Sequence, residues 1–295
     1  MRKFRYLILA FFAVVFVVFS FTRVKEYITS DFTAPVIHAD SDSLQVSVSA
    51  GEEELLAGMS AVDNLNGDVT DTLVVVSKSK FISKGTLRVN YAAFDKNNNV
   101  GIAARNLTYT DYHSPRFSMS QPLRFLSGNT NNNYLQYIRA SDCLDGNITQ
   151  QIKISLGNTE STSNTSTRRK VYIQVTNSAG DTSSLELWAT FEDYDSYNTH
   201  APALSNYIVY TGLGMRPDYR SYLTGVRTAG GNVRDFSDAG YQPEEDVHIS
   251  DSGVNYNSPG VYTVNYQLSR IEKGNTERTT LGSATMIVVV VEDWT

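Results

Sequence analysis

The chain of 295 residues carries 25 Lys+Arg against 31 Asp+Glu, a formal charge of −6, with 41% hydrophobic residues. That apolar share is enough to build cores and excludes a wholly disordered chain, while the length allows two or three domains. The acidic balance excludes nucleic acid, which needs clustered Lys and Arg, and the single cysteine, Cys143, excludes an intramolecular disulfide framework, an Fe–S cluster and a zinc ribbon.

Residues 6–21 (YLILAFFAVVFVVFSF) are almost entirely apolar, with Arg2, Lys3 and Arg5 before them and Arg23 and Lys25 after. Sixteen helical residues reach about 24 Å, slightly short of a ~30 Å hydrocarbon core, a gap that snorkelling by Arg5 and Arg23 closes. The competing reading is a cleaved signal peptide with a cut after Ser20, but Phe21 follows directly and no polar spacer precedes the site. The pattern therefore predicts an uncleaved anchor in residues 1–30. Positive charge concentrated ahead of the helix puts the amino terminus in the cytoplasm and the rest outside, a single-pass cell-membrane protein. Beyond Glu26 the chain holds 20 basic and 30 acidic residues, a charge of −10 that disfavours adhesion to anionic lipid. No cysteine follows the apolar run to carry a lipid.

Three boundary segments come next: DFTAPVI at 31–37, YTDYHSPRF at 109–117 and FEDYDSYNTHAPAL at 191–204. Their prolines, Pro35, Pro115 and Pro202, lie 80 and 87 residues apart. The closing VEDWT repeats the acidic-aromatic ends YTDY and FEDY, so the third unit reads as complete. Inside the units, AVDNLNGDVT (61–70) matches ASDCLDGNIT (140–149), pairing Asp63 with Asp142, Gly67 with Gly146 and Asp68 with Asn147. LRVNYAAFDKNNNV (87–100) matches RKVYIQVTNSAGDT (169–182), pairing Asp95 with Asn177 and Asn99 with Asp181. The third unit lacks the first motif but keeps VNY in VYTVNYQL (261–268).

These runs alternate. Val89, Tyr91 and Ala93 share a face, as do Val171, Ile173 and Val175, and Tyr262, Val264 and Tyr266. Arg88, Asn90, Tyr172, Gln174, Thr263 and Asn265 point the other way. Period-two patterning with Asn, Gly and Asp punctuation predicts half-buried antiparallel strands, and beyond residue 30 only EEELLAGM (52–59) approaches a helical period. The expected fold class is all-β, three tandem two-sheet sandwiches after one transmembrane helix.

On DxTAPVI, AxDxxxGDVT and GxxxVxYxAxDxxxN, the chain resembles the bacterial Ig-like surface repeats, relatives of the hyalin-type repeat. The resemblance covers most of 31–295, strongest in the first unit and weakest in 203–245. The second unit departs from it with VTN where the pattern has AxD, and with an inserted STSNTSTRR (161–169). It implies Ig-like domains at 31–112, 113–195 and, diverged, 196–295, of the kind used as stalk, adhesion or ligand-binding modules on exported proteins.

Oxygen-bearing side chains surround two glycines: Asp63, Asn66 and Asp68, and Asp142, Asp145 and Asn147. Calcium takes six to eight oxygens, so these six are metal candidates, but D-x-x-[ND]-G-[DN] is not an EF-hand loop. An Asx turn, with the carboxylate closing onto its own backbone and glycine supplying φ > 0, accounts for the spacing and is favoured over a metal. His38, His113, His200 and His248 form no HExxH or HxH pair, no GxSxG elbow appears, and TGLGMRP (211–217) lacks the last glycine and the lysine of a phosphate loop. No catalytic residue and no cofactor are therefore expected. Cys143, beside Leu144 in DCLDG, reads as a buried thiol. Tyr207, Tyr210, Tyr219, Tyr222 and Tyr241 are the ligand-binding candidates, their rings suiting sugars or proteins, although packing in the sandwich cores and edges is the favoured use. The expected function is a non-catalytic, membrane-anchored surface protein whose repeats act as adhesion or spacer modules. The alternative is a receptor or envelope-assembly module binding polysaccharide or protein through the third domain.

Overall fold

The alternating runs become strands, seven in each of three sandwiches, in a computed structural model that describes residues 2–29, 31–129, 132–271, 277–292 and 294. Helix α1 (Arg2–Thr29) comes first, and its stretch Phe4–Lys25 is long and apolar enough to cross a membrane. At 1.5 Å per residue those 22 residues reach about 33 Å, so the helix continues beyond the apolar run and removes the shortfall expected from sequence.

Sandwich 1 comprises β1 (Val36–Ala39), β2 (Ser43–Val46), β3 (Met59–Asp63), β4 (Gly67–Asp68), β5 (Val74–Lys78), β6 (Thr86–Phe94) and β7 (Val100–Tyr109). Sandwich 2 comprises β8 (Arg116–Met119), β9 (Arg124–Leu126), β10 (Ile138–Asp142), β11 (Gly146–Asn147), β12 (Lys153–Ser161), β13 (Ser166–Thr176) and β14 (Thr182–Glu192). Sandwich 3 comprises β15 (Ala201–Leu204), β16 (Ile208–Gly212), β17 (Leu223–Arg227), β18 (Val233–Arg234), β19 (Val247–Ser250), β20 (Gly260–Ile271) and β21 (Arg278–Val291). In each, the first, third and fourth strands make one sheet. The other four pair in the order second, seventh, sixth, fifth, with the second strand parallel to the seventh. The EEELLAGM stretch holds the short helix α2 (Glu52–Leu56).

The faces follow the alternation: Val89, Tyr91, Ala93, Val171, Ile173, Val175, Val264 and Tyr266 are buried, while Arg88, Asn90, Gln174, Thr263 and Asn265 are exposed. Tyr91 and Tyr266 hold the same place on the sixth strand, and each hydroxyl donates to a backbone carbonyl just ahead of the third strand, Leu55 O and Tyr219 O, both at 2.9 Å. A buried Tyr needs such an acceptor. In sandwich 1 the buried Arg105 completes the arrangement, donating Nε to Tyr91 Oη (2.9 Å) and Nη2 to Leu55 O (2.6 Å).

Packing divides the chain between Thr110 and Asp111. The second unit holds sandwiches 2 and 3 on one continuous core, in which Phe117, Met119 and Leu123 belong to the same cluster as Tyr207, Ile208 and Val288. The free edge of β8 is satisfied by the start of sandwich 3. Met119 N donates to Asn206 Oδ1 (2.9 Å), Tyr207 N to Met119 O (2.8 Å) and Phe117 N to Tyr210 Oη (3.0 Å).

Candidate functional site

The third strand of each sandwich ends in a functional-looking residue at a tight turn: Asp63, Asp142 and Arg227. Asp63 Oδ2 accepts from Leu65 N (3.0 Å) and Asn66 N (2.7 Å), and Asp142 Oδ1 accepts from Leu144 N (2.9 Å) and Asp145 N (3.1 Å). Gly67 and Gly146 follow at φ 72° and 68°, the left-handed region where glycine is unstrained. The remaining turn oxygens also hold backbone. Asn66 Oδ1 accepts from Lys96 N, Asp68 Oδ1 from Thr70 N, Asn147 Oδ1 from Thr149 N, and the Asp145 carboxylate from Ser178 N and Oγ. Thr70 holds the Asp68 carboxyl below its ordinary range.

Sandwich 1 then brings in two carboxylates from elsewhere. Asp31, Asp63 and Asp95 are all buried, and one carboxylate oxygen from each lies within 4.8 Å of the others. Asp95 closes the β6–β7 hairpin by accepting from Asn97 N (2.9 Å) and Asn99 N (2.7 Å), and Asn99 Nδ2 bridges Asp95 Oδ2 (2.7 Å) to Asp31 O (2.9 Å). With its amide nitrogen turned inward, Asn64 donates to Asp63 Oδ1 (3.2 Å) and Asp31 Oδ2 (3.0 Å). Turned outward, the amide presents oxygen instead, and the set becomes the all-oxygen kind that hard cations take. Among the described residues, these three carboxylates are the group able to hold a metal ion. The sequence candidates included Asp63 but missed Asp31 and Asp95 as its partners, which lie 32 residues to either side.

Sandwich 2 resolves the same position without a third carboxylate. Asn177 stands where Asp95 does, and its Nδ2 donates to Asp142 Oδ2 (3.1 Å) and Tyr112 Oη (2.9 Å). Tyr112 Oη donates to Asp181 Oδ2 (2.7 Å), and burial together with that carboxylate pushes the phenol well above its ordinary range. Phe32, the matching residue in sandwich 1, is 67% exposed against 6% for Tyr112. The hydroxyl draws the ring inward, and this ties Asp111 and Tyr112 to the second unit rather than the first. In sandwich 3 the position is cationic: Arg227 Nη1 donates to Tyr197 O (3.0 Å), and Nη2 is buried with no partner among the described residues.

The five tyrosine candidates do not form a surface. Tyr207, Tyr219 and Tyr241 are buried, and Tyr210 and Tyr222 are half-buried against the same core. Tyr207 Oη accepts from Leu204 N (3.2 Å), and Tyr241 Oη meets His200 Nδ1 (2.8 Å). Both phenols find an internal partner while their rings fill the core, a double use that hydropathy does not separate from exposure. His113 Nδ1 meets Ser114 O (2.9 Å), so two of the four histidines are spent on local structure. Cys143 is half-buried, donates to His113 O (3.3 Å), and burial raises its thiol above the ordinary range.

One network in sandwich 3 has a definite pH signature. Arg216 Nε and Tyr256 Oη both donate to Asp251 Oδ2, at 2.6 and 2.7 Å, and lower the Asp251 carboxyl to about 2. An unfolded Asp titrates near 3.9, so the folded state binds this proton more weakly. The stabilisation is complete above about pH 5 and is lost as pH falls through 4 toward 2. Since the Arg216 side chain is 62% exposed, solvent screening keeps the effect small. Between pH 5 and 2.5, Asp251→Asn is expected to lose less stability than the unaltered chain, as measured by denaturant melts of the second unit.

No family model matches the chain, and no curated protein matches it. Among solved structures it is similar to protocadherin gammaB7 EC3-6 (12% identity, 88% of this chain and 74% of that one, TM-score 0.21). It is also similar to human CDH23 EC21-23 (12%, 88% and 100%, 0.22) and to the CBM51-2 and INT domains of Clostridium perfringens ZmpB (13%, 54% and 41%, 0.21). The class defined by the fold itself is a chain of three Ig-like β-sandwich repeats behind an N-terminal apolar helix.

Proposed function

We propose that the protein is a non-catalytic, membrane-anchored surface protein, held by α1 and presenting its sandwiches outside the cell as adhesion, binding or spacer modules. The observation that carries this reading is the joining of a 22-residue apolar span, its positive charges weighted to the amino-terminal side, to sandwiches that use their polar side chains internally. Asp63, Asp142, Asp145, Tyr112, Asn177 and His200 all close turns or satisfy buried groups rather than converging on a reacting atom. The repeat resemblance to bacterial Ig-like surface modules supports the same setting.

The test is protease applied to intact cells, followed by alkaline carbonate extraction of the membranes. Residues beyond 30 are expected to be digested from outside while a short fragment containing α1 stays in the carbonate pellet. A chain spared by the protease, or stripped into the carbonate supernatant, overturns the reading. Replacing residues 1–30 with a cleavable signal peptide is expected to release the sandwiches into the medium.

A further inference from the structure

Within the second unit, the outer face of the β12–β13–β14 sheet borders two adjoining hollows of about 530 and about 1000 Å³ that share Glu186 and Val261. The larger is closed on its far side by β21 residues such as Ser283 and Thr285. It is extended by Ser163, Thr165 and Ser166, which belong to the insertion that interrupts the second repeat. Along the sheet the register runs Lys153 opposite Gln174, Tyr172 opposite Glu186, Lys170 opposite Trp188, and Arg168 opposite Thr190. From Gln174 to Arg168 this is a groove floor about 20 Å long, at 3.3 Å per residue. Tyr172 and Trp188 are diagonal neighbours on it, with Tyr172 41% exposed.

The groove runs against the charge of the molecule. Its walls carry Lys153, Arg124, Arg168 and Arg227 against Glu186 and Glu192, a local +2 on a chain that is −10 beyond Glu26. Glu192 is engaged by Arg124, Glu186 by Lys170 (2.8 Å), and Arg168 by Glu160 (3.0 Å). Lys153, at one end, and Arg227, at the other, have no carboxylate partner among the described residues, and Arg227 keeps a buried Nη2 unpaired. Arginine replaces the turn carboxylate of the other two sandwiches at this one position. A buried donor left unpaired is costly unless an acceptor arrives.

We propose that this groove binds a linear, carboxylated polysaccharide. The exposed Tyr172 ring and a hydroxyl-rich wall suit a sugar face and sugar hydroxyls, while the half-buried Trp188 ring lies under Arg168 (4.0 Å) and Lys170, and cations at both ends suit carboxylates spaced along a chain. A peptide is the weaker fit, because the groove floor is the face of the sheet, where side chains rather than backbone groups are presented for pairing. The proposal deepens the binding-module reading, and it is tested on purified protein, independently of where the cell puts it.

The full chain in neutral-lipid nanodiscs is titrated with tetragalacturonate, maltotetraose and tetraglutamate, followed by calorimetry and tryptophan fluorescence. Tetragalacturonate is expected to saturate at micromolar to low millimolar concentration and to weaken several-fold between 0.05 and 0.5 M salt. Lys153→Glu and Tyr172→Ala, both at exposed positions, are each expected to weaken it at least tenfold with unchanged melting temperature. No saturation by 10 mM, equal binding of maltotetraose or tetraglutamate, or wild-type affinity in both variants overturns the proposal. A failed titration leaves the protease result standing, and a failed protease result leaves the titration standing.

Discussion

Gly101→Ala is expected to destabilise sandwich 1 by about 3 kcal/mol or more, at the upper end of what overpacking costs. A Cβ at this position would sit 2.0 Å from the Pro35 carbonyl oxygen and 2.9 Å from its carbon. Both obstacles are backbone, so no rotamer change relieves the clash and β1 must move away from β7. The reason is steric contact between sheets, since Gly101 is not among the positive-φ glycines. A domain of about 80 residues holds roughly 4–12 kcal/mol in all, so the loss is a large share of the total. At about 4–8 °C per kcal/mol, the first unit should melt at least about 12 °C earlier. The unit from Asp111 onward packs separately, and its transition should not move. Calorimetry on the full chain in detergent checks both statements at once. Sandwich 3 contains the same device, because a Cβ on Gly282 would lie 2.1 Å from His200 O. Gly282→Ala is the matching control, lowering the second transition and sparing the first.

How much of this was legible depends on the range of the interactions involved. The faces of β6, β13 and β20 were readable because alternation is written in consecutive residues, and Val89, Tyr91, Val171 and Ile173 went inward as the pattern required. The turns at Asp63 and Asp142 were readable for the same reason, since a carboxylate and a glycine four residues on form a local signal. The convergence of Asp31 and Asp95 on Asp63 was not, because it depends on which strands pair. The repeat alignment held a clue in the exchange of Asp95 and Asn99 for Asn177 and Asp181. Each pair keeps one carboxylate and one amide, but the exchange moves the charge away from Asp142 and makes room for the Tyr112 hydroxyl. Tyrosine was the least decisive. Its ring and its hydroxyl report opposite environments, and only the acceptors at Leu204 and His200 show that Tyr207 and Tyr241 belong inside.

Tyr207→Ala tests the joining of sandwiches 2 and 3, and it should cost the second unit about 3–5 kcal/mol, the usual range for truncating a buried aromatic. The backbone of Tyr207 ties both partners, donating to Met119 O and accepting from Ile287 N, each at 2.8 Å. Alanine keeps those two bonds, so what is removed is the ring inside the shared core and the Oη acceptor for Leu204 N. Tyr207→Phe separates the two contributions. It keeps the ring, leaves the buried Leu204 N–H unpaired, and should cost only about 1–3 kcal/mol. If the two sandwiches fold on one core, the unaltered second unit melts in a single transition, and Tyr207→Ala splits or broadens it as sandwich 3 loses the support of β8. Two resolved transitions in the unaltered protein, or a Tyr207→Ala variant that melts as sharply and as late as the parent, would show that the contact contributes little. The groove between the β14 and β21 faces depends on this same contact, since Tyr207 is part of its wall. The Tyr207→Ala variant should therefore also lose tetragalacturonate binding, whereas Tyr207→Phe, with the ring in place, should retain it.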